Sequence, residues 1–159
     1  MDELLKILKS NALESVENMA KMLDLSEDEV RARIAEYERK GVIRGYQAIV
    51  NEDVLKMERV TAVIEVRVSP EREGGFNHIA SRISKFPEVQ SIYLMSGAFD
   101  LLLFVVGRDL KEVAFFVSEK LATIHGVNGT ATHFMLKTYK HHGVMMESED
   151  EYERLKISP

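Results

Sequence analysis

The sequence predicts an α+β protein in two units, three short helices followed by a sheet domain with the element order βαββαβ. Three observations carry this reading. Apolar residues recur at helical spacing through the first 40 or so residues, switch to alternation after residue 58, and then helical and alternating stretches take turns. With 159 residues, 45% of them hydrophobic and 30% charged, the chain suffices for one medium domain or two small ones.

In the first unit Leu4, Leu5, Ile7 and Leu8 form one amphipathic segment, Val16, Met19, Ala20 and Leu23 a second, and Val30, Ile34 and Tyr37 a third. Start signals stand between them. Ser15 precedes the second segment, and Ser26 with Glu29 three residues on makes a capping-box pattern before the third. Gly41, after Arg39-Lys40, is the expected stop. Tyr46 to Val50 then reads as a short strand-like stretch, and the polar Asn51-Glu52-Asp53 as part of a linker.

In the second unit Val60, Ala62, Ile64, Val66 and Val68 alternate as a strand that Ser69-Pro70 closes. A helix over 75–85 is expected to bury Phe76, Ile79, Ile83 and Phe86. A strand over 89–95, a turn from Ser96 to Asp100 and a strand over 101–106 follow. Asp109 caps a second helix with Leu110, Val113, Ala114, Val117 and Leu121 on one face, and Val127 to Tyr139 supplies the last strand. This order is ferredoxin-like, with both helices on one face of the sheet. Yet Leu101 to Val106 is apolar on both faces, and Val63 lies opposite Ala62 and Ile64. The uncovered face calls for a partner, and a second copy of the same sheet is the simplest cover, so an obligate homodimer is expected. The boundaries on this reading are 1–45 for the helical unit, 46–57 for the linker, 58–142 for the sheet unit and 143–159 for an acidic tail, which reads equally as a docked arm or a solvated end.

Composition excludes several chemistries. Without cysteine there is no disulfide, thiolate metal site or thiol nucleophile. The five histidines, His78, His125, His133, His141 and His142, form no helical i, i+4 pair with a carboxylate, and the adjacent His141 and His142 would point to opposite faces of a strand, so neither a metal nor a cofactor is expected. No phosphate-binding glycine loop or nucleophile elbow occurs. The longest strongly apolar run, Leu101 to Val106, falls short of the roughly 20 residues that span a bilayer. The acidic start Met1-Asp2-Glu3 is unlike a secretion signal, so the expected address is the cytoplasm, with no membrane partner. The eight methionines read as core and interface packing.

The third helical segment offers a candidate interface. With Val30, Ile34 and Tyr37 inward, Asp28, Arg31, Ala32, Ala35 and Arg39 form the opposite stripe, two arginines separated by small residues. The run from Ser15 to Ser26 has helix-turn-helix spacing, a short helix, a tight polar turn and a capped second helix. Backbone amides at such a helix start can hold phosphate. Periodicity alone favours a plain three-helix bundle with a solvated charged face. The net charge of −5, and 8 Lys+Arg against 10 Asp+Glu within residues 1–50, mean that any binding of nucleic acid depends on local charge placement and on repetition in an oligomer.

From Asp2 to Asn51 the chain resembles the N-terminal domain of the Lrp/AsnC (feast/famine) regulators. The resemblance lies in Ile7-Leu8 and Asn11, Met19-Ala20, Leu25-Ser26, Val30, Arg33-Ile34, Glu38, Gly41-Val42-Ile43 and Gly45-Tyr46. It implies a three-helix, winged-type helix-turn-helix that binds double-stranded DNA, with Ser15, Ser26, Asp28, Arg31, Ala32, Arg33, Arg39 and Lys40 as the contacting set, and Tyr46 to Val50 as a linker strand that pairs across the dimer.

Residues 58–140 resemble the family's regulatory (RAM) domain. The carriers are the Gly-x-aromatic-Asp turn Gly97-Ala98-Phe99-Asp100, the apolar strand after it, Asp109-Leu110, Gly126-Val127 and Thr130-Ala131-Thr132. What this implies is a small-molecule effector, an amino acid or related metabolite, held at the contact between dimers by Gly97, Ala98, Phe99, Asp100, Thr130 and Thr132. Turn amides would take the carboxylate, Asp100 the ammonium, and Thr132 would add a hydroxyl. The same turn read without the resemblance is a tight β-turn with glycine chosen for its backbone angles and aspartate for capping.

The resulting expectation is a transcriptional regulator, not an enzyme, in which dimers assemble further, to a tetramer or to an octameric ring of four. Two alternatives remain at this stage: a sirohaem-decarboxylase-like enzyme of the same fold, and a ligand-binding module whose helix-turn-helix is vestigial.

Overall fold

The computed structural model describes residues 1–69 and 75–147, so Pro70 and the tail from Ser148 onward lie outside the described residues. Contacts divide the chain into two units, Met1–Val50 and Asn51–Pro159.

The first unit contains α1 (Glu3–Ser10), α2 (Val16–Leu23) and α3 (Glu27–Arg39). Each starts at a side chain that satisfies an otherwise orphaned amide. Asp2 Oδ1 accepts from the Leu4 amide at 2.8 Å and Ser15 Oγ from the Asn18 amide at 3.1 Å. The expected capping box closes: Ser26 Oγ accepts from the Glu29 amide at 3.3 Å while the Ser26 amide donates to Glu29 Oε2 at 2.9 Å. The three apolar stripes meet in a small core of Leu4, Met19, Ala20 and Val30, flanked by half-buried residues including Ile34 and Tyr37. Gly41 ends α3 as expected, at φ 69°, and the amides of Val42 and Ile43 turn back to the Tyr37 carbonyl. Residues 44–50 form no strand within the chain. In place of the expected wing, this segment is tied to α3 where Tyr46 Oη donates to Glu38 Oε1 at 2.9 Å.

The second unit opens with α4 (Glu52–Leu55), where the sequence reading had only a polar linker. Asn51 explains the difference. Its Oδ1 caps the Val54 amide and its Nδ2 donates to the Met146 carbonyl at 2.5 Å, a long-range tie invisible in local sequence. Then follow β1 (Val60–Val68), α5 (Gly75–Ile83), β2 (Val89–Leu94), β3 (Leu101–Gly107), α6 (Leu110–Phe115) and β4 (Val127–Phe134), which build an antiparallel sheet in the order β2-β3-β1-β4. This is the expected ferredoxin-like arrangement. Ala62, Ile64, Val66, Leu101, Leu103 and Val105 bury one face of the sheet against Ile79 and Ile83 of α5 and Val113 of α6. Register places Val63 beside Phe104 and Thr61 beside Val106 on the other face, and Tyr93 meets Phe104 edge to face, with 6.2 Å between ring centres.

Three sequence expectations need correction here. Leu110 and Ala114 are exposed, and Phe116 is buried instead, because a π-helical turn, Phe116–Leu121, follows α6. An i→i+5 turn brings residues five apart onto one face, so Phe116 and Leu121 both point inward. Lys120 is released to pair with Glu88. The last strand stops at Phe134 rather than Tyr139, and a hairpin of β5 (Lys140–His141) and β6 (Val144–Met145) follows. Finally, His141 and His142 do not point apart. His142 occupies the hairpin turn at φ 46°, which brings the two rings together with centres 4.2 Å apart.

Candidate nucleic-acid interface and ligand turn

The stripe expected on α3 is present: Asp28, Arg31, Ala32, Ala35 and Arg39 are all exposed, opposite buried Val30. α2 ends at Asp24 with φ 53°, a left-handed residue that turns the chain sharply into the Ser26 cap. The start of α3 therefore projects from a capped corner. Around this corner, capping and charge pairing already occupy several of the candidate contact groups. The hydroxyls of Ser15 and Ser26 serve their helix caps, Ser26 Oγ also donating to Glu29 Oε2 at 2.8 Å. Arg31 Nη2 donates to Glu27 Oε2 at 2.7 Å, and Lys40 pairs with Glu36 at 2.6 Å. Lys6 with Glu3 and Lys21 with Glu17 complete the same i, i+3 or i, i+4 pattern.

Arg33 and Arg39 are exposed and make no ion pair among the described residues; Arg33 lies on the flank of α3 toward Glu29, and Arg39 on the outward stripe. Sequence reasoning overlooked Arg44. Its guanidinium lies over Gly41, so close that a methyl on Gly41 would stand 2.9 Å from Cζ. It thereby sits at the negative end of α3, where a cation is favoured.

Ser26 holds the Glu29 carboxyl below its ordinary 4.5, first through its backbone amide and then through its hydroxyl. A pKa lowered on folding contributes stability that is complete above the unfolded value and fades as pH falls through the folded one. Ser26→Ala is expected to destabilise the protein by about 0.5–2 kcal/mol at neutral pH. The gap between variant and parent should narrow as pH falls through the lowered Glu29 pKa, since the protonated carboxyl no longer gains from Ser26; urea denaturation at several pH values measures both.

The candidate ligand turn is a well-anchored loop. Gly97 has φ 145°, in the region that favours glycine. The Met95 amide donates to the Asp100 carbonyl at 2.8 Å and the Asp100 amide to the Val66 carbonyl at 3.0 Å, closing the turn onto β1. Asp100 Oδ2 accepts from the Val68 amide at 2.8 Å, so one carboxylate oxygen serves the sheet, and Oδ1 has no hydrogen-bond donor among the described residues. Gly97 and Ala98 are exposed, Phe99 is half-buried, and the Gly97 and Ala98 amides have no acceptor among the described residues. Thr130 and Thr132 stand opposite Val66 and Ile64 on β4, across β1 from the turn, about two strand spacings or ~10 Å away. Thr130 lines a shallow trough of ≈ 150 Å³ with Glu65, Arg67, Gly129 and Ala131, and the turn residues lie outside it. An enclosed ligand site is typically about 300–1,000 Å³, so this trough alone is too small to be one.

Among the described residues no group of three or more metal-ligating side chains occurs, and no helix is long and apolar enough to cross a membrane.

A trihelical unit with a capped, outward third helix, joined to a ferredoxin-like unit with one bare sheet face, is the build of a two-domain helix-turn-helix regulator. The model of the Lrp/AsnC ligand binding domain matches residues 61–145. The uncharacterized HTH-type transcriptional regulator YugG of Bacillus subtilis is 43% identical over 158 residues, covering 99% of this chain and 95% of its own. Among solved structures, an AsnC family transcriptional regulator from Agrobacterium tumefaciens is 29% identical with a TM-score of 0.68, covering 96% of this chain and 99% of its own. A transcriptional regulator of Neisseria meningitidis, solved with L-Met, is 26% identical with a TM-score of 0.69, covering 89% of this chain and 93% of its own. This chain belongs to the Lrp/AsnC family of transcriptional regulators. Its relatives are named as regulators, which disfavours the decarboxylase alternative.

Proposed function

We propose that the protein regulates transcription in the cytoplasm by binding double-stranded DNA through α3, as a homodimer or a larger ring of dimers, and that an amino acid or related metabolite tunes this binding. The observation that carries the reading is the outward stripe of α3, where Arg31 and Arg39 flank Ala32 and Ala35 on a helix whose start is capped and exposed. Small residues between two cations let the helix lie deep in a major groove while the arginines reach base edges and phosphates. Residues 1–45 act as the reader, 46–57 as the linker and 58–142 as the pairing and sensing unit.

The bare sheet face supports a twin as its cover, since Val63, Leu102, Phe104 and Val106 are only half-buried in the single chain. The Gly97 and Ala98 amides and Asp100 Oδ1, none with a hydrogen-bond partner among the described residues, form a half-site for a zwitterion. Its openness suits a ligand enclosed between chains, and the L-Met bound to the Neisseria regulator makes an amino acid the first candidate.

Mobility-shift titration with the DNA upstream of the protein's own gene, repeated with each proteinogenic amino acid, tests the reading. Binding that falls steeply with salt and shifts with one amino acid is expected. Absence of binding to any duplex at low salt would leave only the ligand-binding module.

A further inference from the structure

The candidate reader sets an acid against its own arginine, and we infer that Glu27 is a counter-charge that limits how tightly the protein holds DNA. This rests on the DNA-binding reading above. Glu27 is the first residue of α3, Arg31 follows one turn later, and their side chains meet at 2.7 Å. Four residues advance an α-helix by one turn plus about 40°, which sets Glu27 on the side of Arg31 nearer the buried Val30. The pair therefore draws the guanidinium away from Ala32, Ala35 and Arg39, toward the flank and the start of the helix.

Arg39 has no such restraint among the described residues. A phosphate or base edge approaching α3 must take Arg31 from Glu27, and the displaced carboxylate then faces the DNA. Both side chains are about half exposed, so solvent screens the pair and the exchange is feasible. The penalty is a lower affinity, not a block. With a net charge of −5 over the whole chain, it makes a single reader too weak to stay on arbitrary DNA. Stable binding then requires two readers on properly spaced half-sites, which favours operators over bulk DNA.

The test uses the full-length protein, a random-sequence duplex and the upstream duplex, followed by fluorescence anisotropy across salt concentrations. Glu27→Gln is compared with Glu3→Gln, which removes the same charge from the Lys6 pair on α1. Glu27→Gln is expected to bind the random duplex about five- to tenfold more tightly near 0.1 M salt, with a salt slope steeper by about one per reader. Glu3→Gln should change it less than about twofold. The gain should vanish in the Glu27→Gln, Arg31→Ala double variant. A gain equal to that of Glu3→Gln, or one that survives loss of Arg31, overturns the inference while DNA binding stands. Weaker binding by Glu27→Gln overturns it too, since Glu27 would then be positioning Arg31 for readout. If parent and variants alike ignore every duplex, the DNA-binding reading itself fails, and the inference with it.

Discussion

Replacing Arg31 and Arg39 together by alanine is expected to weaken binding to the protein's operator by roughly a hundredfold or more, because each arginine contact to DNA is worth about 1–3 kcal/mol. The two losses should differ in kind. Arg31 stands near the start of α3, the end from which a reader helix addresses base edges, and its loss should relax sequence preference. Arg39 lies in the last turn, and its loss should weaken all duplexes alike and flatten the salt slope by about one. Since Arg31 must first leave Glu27, Arg31→Ala should be the milder single change. Both side chains are exposed and neither belongs to the small core of the unit, so thermal stability should be unchanged. Mobility shifts with parent and variants decide the matter; unchanged binding by the double variant would mean that α3 presents another face to DNA.

Phe104→Asp is expected to split the proposed homodimer into monomers. Phe104 stands at the centre of the bare sheet face, paired with Val63 and in edge contact with Tyr93. Two-fold symmetry would bury the new carboxylate twice, at several kcal/mol each, which raises the dimer dissociation constant by about a thousandfold or more. The helix-covered core is spared, since Leu103 and Val105 point to the opposite side. Light scattering after size exclusion should show half the parent's mass with an unchanged far-ultraviolet spectrum. Should the monomer unfold, the milder Phe104→Ala still reports, because it should weaken association without placing a charge on the face. A parent that is itself monomeric at micromolar concentration would refute the paired-sheet reading.

Much of this was legible before any coordinates. The starts of α2 and α3 follow from Ser15 and Ser26, because a cap is settled within three or four residues of the chain. The stripe on α3 and the alternating core face of β1 follow from period alone. Arg31 shows where such reading ends. Glu27 and Asp28 both lie within one turn of it, and the structure alone selects Glu27.

The sequence by itself determined the two units, their element order, the capped third helix and the doubly apolar strand that calls for a partner. These are matters of local propensity and of period along one element. Tertiary structure alone decided the π turn that brings Phe116 inward, the capped α4 held by Met146, and the use of Asp100 Oδ2 by the end of β1. Each depends on groups far apart in the chain that meet only after the sheet has formed, and no short-range pattern records such meetings.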